Sequence, residues 1–106
     1  MSIDSYPGSV KITPAVDLIP LAPRNALVTT NSTIIASMNL NRKGLWIKSL
    51  ALPTHRISIS FGANPAVAER GITLEPNEIF QMDVFTFTTA QVNAIGTGNL
   101  AIQEYI

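Results

Sequence analysis

The chain of 106 residues contains no cysteine and a single histidine. Without cysteine, neither a disulfide nor a thiolate metal site can form. A zinc or copper site needs several imidazole or thiolate ligands, which His55 alone does not supply. His55 follows Pro53 in a predicted loop, and the nearby serines lack a nucleophile-elbow motif, so a loop or interface histidine is the favoured interpretation. We therefore expect no metal site, no cofactor and no enzymatic activity.

Charged residues are also scarce, at 13% of the chain. This is about half of the share that is usual in soluble domains, and a surface poor in charge indicates that a partner covers part of it. The formal net charge is zero, whereas a nucleic-acid-binding domain usually has a basic excess that contacts phosphates. The composition predicts contact with other proteins and no nucleic-acid partner.

The charges divide along the sequence. From residue 18 to residue 68 every charged side chain is basic, and acidic side chains dominate from there to the C-terminus. The division favours either contact between the basic part of one copy and the acidic part of another, or two separately solvated surfaces. The basic residues are Arg24, Arg42, Lys43, Lys48 and Arg56, and the acidic residues are Glu69, Glu75, Glu78, Asp83 and Glu104.

Targeting and membrane-spanning signals are not visible either. The first residues lack the basic and apolar regions of a signal peptide. No apolar run approaches the roughly 20 residues that cross a bilayer. We expect a soluble protein that is made in the cytoplasm and has no membrane partner.

Residues 1–25 differ from the rest because they contain four of the seven prolines. Proline fixes φ and donates no backbone hydrogen bond, so this spacing excludes a helix and disfavours a central strand. Aliphatic side chains stand between the prolines, which a solvated linker would not carry. We predict an extended, Pro-rich N-terminal arm over residues 1–25, which lies on a neighbouring subunit in preference to its own domain. Its predicted contact residues are Val16, Leu18, Ile19 and Leu21.

From residue 26 onward, short apolar runs alternate with turn residues. This pattern is typical of an antiparallel β-sandwich or a jelly-roll-like barrel, so the predicted fold class is all-β, with the sandwich domain over residues 26–106. Alternation predicts that Ile34, Ala36 and Met38 share one face. A change of apolar phase near Val84 indicates a bulge or corner. Predicted strands cover residues 33–38, 45–50, 56–61, 72–74, 80–84, 92–95 and 100–105.

Turn chemistry marks the breaks between the strands. Residues 41–44 suit a type I turn followed by a left-handed Gly44. Residues 75–78 place Pro76 at the second turn position, where its fixed φ fits. Residues 96–99 suggest a tight hairpin loop. The same glycines match the nucleotide-binding pattern G-x-G-x-x-A, but that pattern needs a following helix, so the turn is favoured.

Trp46, beside Lys48 on a predicted strand, is the remaining candidate for a binding residue. It suits a stacking platform for a sugar or base, although packing in a core or subunit interface is the favoured interpretation. A domain of roughly 80 residues is marginally stable alone when it has no disulfide or metal. Oligomerisation is therefore expected.

Four motifs follow one another in order. Residues 39–47 fit N-x-N-R-x-x-L-x-I, and residues 59–62 fit I-x-F/L-G. Residues 71–80 fit G-x-x-L-x-P-G-x-x-F/Y, with Asn77 in place of the usual glycine. Residues 92–104 fit a closing V-x-A-I…L-x-V-x-E hairpin. This series covers about three quarters of the chain and resembles small β-sandwich structural proteins of tailed bacteriophage virions.

The resemblance implies a virion structural protein and no catalytic residue. The first hypothesis is a head decoration or cement protein, which clamps capsid subunits from outside as a cyclic homo-oligomer, with a trimer favoured and with Trp46 as an interface aromatic. The second is a tail, neck, baseplate or fibre component. The third, of another class, is a carbohydrate-binding module that stacks sugars on Trp46, Tyr6 or Tyr105. The expected partners are capsid or other virion proteins.

Overall fold

The computed structural model describes residues 18–83 and 86–106, in which eight β-strands and no helix are present. The all-β prediction is confirmed. The strands are β1 (Arg24–Val28), β2 (Thr33–Ala36), β3 (Gly44–Ser49), β4 (Ile57–Phe61), β5 (Ile72–Leu74), β6 (Ile79–Met82), β7 (Val92–Gly96) and β8 (Gly98–Tyr105).

The strands form two antiparallel sheets, with the orders β1-β8-β3-β6 and β2-β7-β4-β5. Apart from β4 and β5, strands that follow one another in sequence lie in different sheets, so the chain passes back and forth between the two layers. Eight strands wound in this order make a jelly roll, which is one of the standard ways to bury two β-sheets against each other. The predicted sandwich is therefore of the jelly-roll kind.

The core lies between the two sheets. In β3, Leu45 and Ile47 are buried whereas Trp46 and Lys48 are exposed, because successive side chains of a strand point to opposite faces. The same alternation buries Leu100 and Ile102 in β8. Each fully buried aliphatic side chain of this size contributes about 1.5–3 kcal/mol to folding.

The predicted face of β2 is wrong. Ile34 and Met38 are 55% and 65% exposed, whereas Ile35 and Ala36 are buried. The register with β7 shifts between Ile34 and Ala36. A bulge sets two residues against one and interrupts the alternation on which the prediction relied.

The turn before β3 lies earlier than predicted. The N–H of Arg42 donates to the carbonyl of Asn39 at 3.0 Å, so the turn spans residues 39–42. Gly44 already pairs with Tyr105 in the sheet, and its φ is not positive. The turn prediction failed because Arg42 is drawn into the protein interior.

The turn at residues 75–78 is confirmed. The N–H of Glu78 donates to the carbonyl of Glu75 at 3.0 Å, and Asn77 has a φ of 68°. Proline at the second position followed by a left-handed residue is the arrangement of a type II turn, in which asparagine replaces glycine at small cost.

The hairpin predicted at residues 96–99 is wrong. Only Thr97 separates β7 from β8, yet these strands belong to different sheets and do not pair. The segment is a sharp corner from one sheet to the other, with φ values of 145° at Gly96 and 137° at Gly98. Paired glycines suit both a hairpin and a corner, so the sequence pattern did not separate them.

Residues 18–23 extend the β1 edge of the sheet. Ile19 and Ile106 exchange two backbone hydrogen bonds, and the N–H of Leu21 donates to the carbonyl of Glu104. The end of the predicted arm thus pairs with β8 of its own chain. Residues 1–17, including Val16, and the predicted corner at Val84 and Phe85 lie outside the described residues. The division of the chain at residue 25 stays a prediction.

Candidate assembly surfaces

Arg42 is fully buried, although the sequence assigned it to a turn. Its Nε donates to the Glu104 carboxylate at 2.7 Å. Nη1 donates to the carbonyls of Thr88 and Ala90 at 3.1 and 2.6 Å, and Nη2 to that of Ser37 at 2.8 Å. A buried charge is tolerated when it is paired and its remaining donors are satisfied. Arg42 therefore ties the β2–β3 loop and the β6–β7 loop to strand β8.

Glu104 receives a second cation on its other oxygen. Nη2 of Arg24 lies 2.9 Å from Oε1 of Glu104 and also donates to the carbonyl of Ile35 at 3.2 Å. Burial raises the pKa of Glu104, but the hydrogen bonds and charges of Arg42 and Arg24 together outweigh burial and hold the pKa below its ordinary value of 4.5. The carboxylate is thus ionised and clamped between two guanidinium groups.

This clamp predicts a loss of stability in acid. Because the pKa of Glu104 is lower in the folded chain, its stabilisation is fully present above the unfolded value of 4.5 and is lost as the pH falls through the folded pKa. We expect the unfolding free energy of Glu104→Gln to depend less on pH than that of the wild type between about pH 6 and about pH 3. Urea titrations across this range measure it. Parallel curves for the two proteins would contradict the clamp.

The two loops held by Arg42 carry exposed apolar side chains. Met38 and Leu40 in the β2–β3 loop are 65% and 79% exposed, and Phe87 in the β6–β7 loop is 41% exposed. The N–H of Asn39 donates to the carbonyl of Thr89 at 2.9 Å, which joins the loops directly. Apolar side chains that protrude from fixed loops are typical of a contact surface.

Two of the predicted arm contacts lie at the same end of the sandwich. Leu18 and Ile19 are 41% and 58% exposed, and the backbone of Ile19 pairs with Ile106, just past the end of β8. Strand β3 begins at this end, since Gly44 pairs with Tyr105. We call this surface the apolar end, and define it by Leu18, Ile19, Met38, Leu40 and Phe87.

Trp46 lies on the outward face of the β1-β8-β3-β6 sheet and is 42% exposed. Gln103 of β8 and Gln81 of β6 stand directly opposite it on either side, and side chains of opposed residues share a face. A groove of about 750 Å³ runs across this surface. We call the surface the Trp46 face, and define it by Pro23, Asn25, Trp46, Lys48, Ile79, Gln81, Ala101 and Gln103.

The polar side chains of the Trp46 face are mostly unpaired. Within the part of the chain that the structure describes, Asn25, Gln81 and Lys48 form no side-chain hydrogen bond or ion pair. Nε2 of Gln103 donates to the carbonyl of Leu21. Gln103 therefore links the end of the arm to the row of side chains that contains Trp46.

The structure thus brings Leu21 and Trp46 to opposite sides of Gln103. It places Leu18 and Ile19 at the apolar end. Sequence reasoning missed the buried pair of Arg42 and Glu104. A signal for it was present, because Glu104 has the same strand parity as Leu100 and Ile102. A carboxylate at an inward position needs a buried cation.

Three of the five basic side chains pair with acidic side chains of the same chain. Arg42 and Arg24 pair with Glu104. Nη1 of Arg56 lies 2.9 Å from Glu69, and its Nε lies 2.8 Å from Glu75. Neither of the two interpretations drawn from the sequence anticipated this pairing.

His55 lies in the loop between β3 and β4, as predicted, and its backbone N–H donates to the backbone carbonyl of Leu52 at 2.9 Å. No group of three or more histidine, aspartate or glutamate residues that could hold a metal ion occurs in residues 18–83 and 86–106. The same residues form no helix that is long and apolar enough to span a bilayer.

Comparisons of the chain with protein-family models, curated proteins and solved structures found no match.

Proposed function

We propose that this chain is a structural protein of a tailed-phage virion, and specifically a decoration or cement protein that stabilises the assembled capsid. The observation that carries the proposal is the apolar end, where exposed apolar side chains stand on loops fixed by the buried Arg42. Leu18, Ile19 and Leu40 are the proposed contacts with the shell.

Fixed loops favour binding because little conformational freedom is lost on contact. Ordering a free loop costs about 0.5–1.5 kcal/mol for each immobilised side chain. Here the hydrogen bonds from Arg42 hold the backbone at Ser37, Thr88 and Ala90. The backbone beside the protruding side chains therefore needs little further ordering on contact.

The fold and the sequence motifs support the same role. Jelly rolls form viral capsid domains, and they also form lectin and cupin domains, so the fold by itself selects no function. The series of virion-like motifs and the low content of charge select the virion role among these. Both features lie in the residues that build the sandwich.

Stabilisation of the shell follows from selective binding. A protein that binds the assembled lattice but not its separate subunits shifts the assembly equilibrium by mass action, by about 2.7 kcal/mol at a concentration 100 times Kd. A cyclic homo-oligomer, with a trimer favoured, presents several copies of the apolar end at once. Such a clamp holds neighbouring capsid subunits together.

Leu40→Glu tests this role. Leu40 is 79% exposed, so the change should leave the fold intact and place a charge in the contact surface. We expect shell binding to fall at least about tenfold, as for the loss of an interface anchor. The measurement is co-sedimentation with phage shells stripped of the chain. The matched control is Leu52→Glu, which lies on the β3–β4 loop at the opposite end of the sandwich and is 68% exposed.

The two variants separate the outcomes clearly. Normal binding by Leu52→Glu together with lost binding by Leu40→Glu supports the apolar end as the contact surface. Equal binding by both variants would show that the apolar end is not the contact surface. Binding to purified tails but not to shells would replace the decoration role by a tail, neck or fibre role.

A further inference from the structure

We propose that the groove of the Trp46 face in one copy of the chain binds the proline-rich segment of residues 7–16 from a second copy. The inference rests on the proposed function only for the premise that copies of the chain associate. It names the contact that would hold them together.

The direction of the chain at Leu18 favours a second copy. Read from Leu21 back to Ile19, the backbone runs along β8 from Glu104 to Ile106 and passes the end of the sheet. The groove lies in the opposite direction along β8, beside Ala101 and Gln103. To enter its own groove the chain must reverse direction, whereas the groove of a neighbour can be reached without a reversal.

The length of the segment is sufficient for this contact. Residues 1–17 precede the described part of the chain. In an extended polyproline conformation, at about 3.1 Å per residue, they span roughly 50 Å. That is enough to leave one sandwich and cross a sheet face of the next.

The groove suits a proline-rich occupant. Polyproline conformers have no internal hydrogen bonds, so their carbonyls face outward, and they bind grooves lined by aromatic side chains. Trp46 supplies the aromatic wall, and the unpaired amides of Asn25 and Gln81 supply donors for those carbonyls. Segment 7–16 carries Pro7 and Pro14.

Acidic residues flank the segment on both sides. Residues 7–16 themselves contain one charged side chain, Lys11, whereas Asp4 and Asp17 lie just outside them. Lys48 stands in the groove with no acidic partner among the described residues. An incoming segment with an acidic flank would provide that partner.

The geometry of such a contact sets the symmetry of the assembly. Donor segment and acceptor groove are different surfaces, so the contact is heterologous, and repetition of it closes a ring or extends a filament. A ring of three copies matches the expected trimer. Each copy then donates one segment and accepts one.

The single tryptophan of the chain makes the groove observable, because all tryptophan fluorescence comes from Trp46. The receptor is a full-length variant with Val10, Ile12 and Val16 each changed to Ser, which removes the apolar side chains of the segment without adding charge and keeps Trp46. We expect its emission to be shifted to longer wavelength than in the wild type. The donor is full-length Trp46→Phe, which keeps the segment and does not fluoresce.

Addition of the donor should move the receptor emission back toward the wild-type wavelength. A chain that combines both sets of changes should have no such effect and serves as the matched control. A synthetic peptide of residues 1–17 provides a second donor that does not depend on the folding of Trp46→Phe. Light scattering should show that the receptor variant alone has a smaller mass than the wild type.

Three results would overturn the proposal. Equal emission in the receptor variant and the wild type would mean that the segment does not reach Trp46. A shifted emission that no donor restores would mean that the segment binds its own groove. A response to oligosaccharides but not to either donor would assign the groove to sugars. None of these readings uses shells, so failure of shell binding remains a separate result.

Discussion

Replacement of Arg42 by methionine is expected to lower the free energy of unfolding by about 3–5 kcal/mol, the range for breaking a buried ion pair. The substitution removes the hydrogen bonds to three loop carbonyls and leaves Glu104, which is 5% exposed, with Arg24 as its remaining cation. Methionine nearly fills the same volume, so the loss reports the polar contacts. Denaturation in urea, followed by circular dichroism, measures it.

Arg56→Met is the control for this prediction. Arg56 also forms two ion pairs, with Glu69 and Glu75, but its side chain is half exposed. Ion pairs in contact with water contribute little because solvent screens them. A loss for Arg42→Met as small as that for Arg56→Met would contradict the assigned role of Arg42.

A paired substitution sharpens the same test. Arg42→Met combined with Glu104→Leu removes both buried charges, and replacement of a whole buried pair by apolar groups is often nearly neutral. The double variant should therefore be more stable than Arg42→Met alone. The single variant Glu104→Leu completes the comparison. A double variant whose loss of unfolding free energy equals the sum of the losses for Arg42→Met and Glu104→Leu would show that the pair is not coupled.

Gly96→Ala is expected to be the second strongly destabilising change. A Cβ built on Gly96 would lie 2.4 Å from the carbonyl oxygen of Arg56 and 3.1 Å from the Cα of Ile57. Both are backbone atoms, so the clash can be relieved only by moving β4 against β7. The positive φ of 145° adds backbone strain.

Gly62→Ala separates strain from steric overlap. Gly62 also has a positive φ, of 87°, but a Cβ there would meet nothing within 4 Å. We expect Gly62→Ala to cost about 1–3 kcal/mol from the backbone alone, and Gly96→Ala to cost distinctly more. Urea midpoints of the two variants measure the difference. Equal midpoints would mean that the corner between β7 and β8 is not tightly packed.

Local pattern was enough to predict most of the strands. Residues 72–74 match β5, and the alternation over residues 56–61 places Ile57 and Ile59 in the core, as the structure has them. Ser58 lies between them on the strand and is also buried, because its hydroxyl accepts from the N–H of Glu69 and contacts Thr73. Short-range alternation carries this information because it depends only on neighbours in one strand.

The wrong predictions lie where residues distant in the sequence determine the local structure. The bulge in β2 depends on its pairing with β7. The corner at Thr97 depends on which sheet each flanking strand joins. The burial of Arg42 depends on Glu104, which lies 62 residues further along the chain. Nothing within a few residues of Ile34, Thr97 or Arg42 distinguishes the structure from its alternatives.

The four sequence motifs have identifiable roles in the fold. Arg42 of the first motif pairs with Glu104 of the last. Gly62 closes the second motif with a positive φ, and Asn77 takes the left-handed position of the turn in the third. The motifs therefore describe one way to build this jelly roll. The role in a virion is our proposal, supported by the apolar end that Arg42 holds.

Immunogold electron microscopy of particles of a phage that carries this sequence tests whether the chain is a structural protein of the virion. Antibodies against the full-length chain would be applied to intact particles. We expect regular labelling over the head, which is lost when the particles are stripped of the chain. Particles that contain no label on head or tail, from a lysate in which the chain is abundant, would contradict a structural role in the virion.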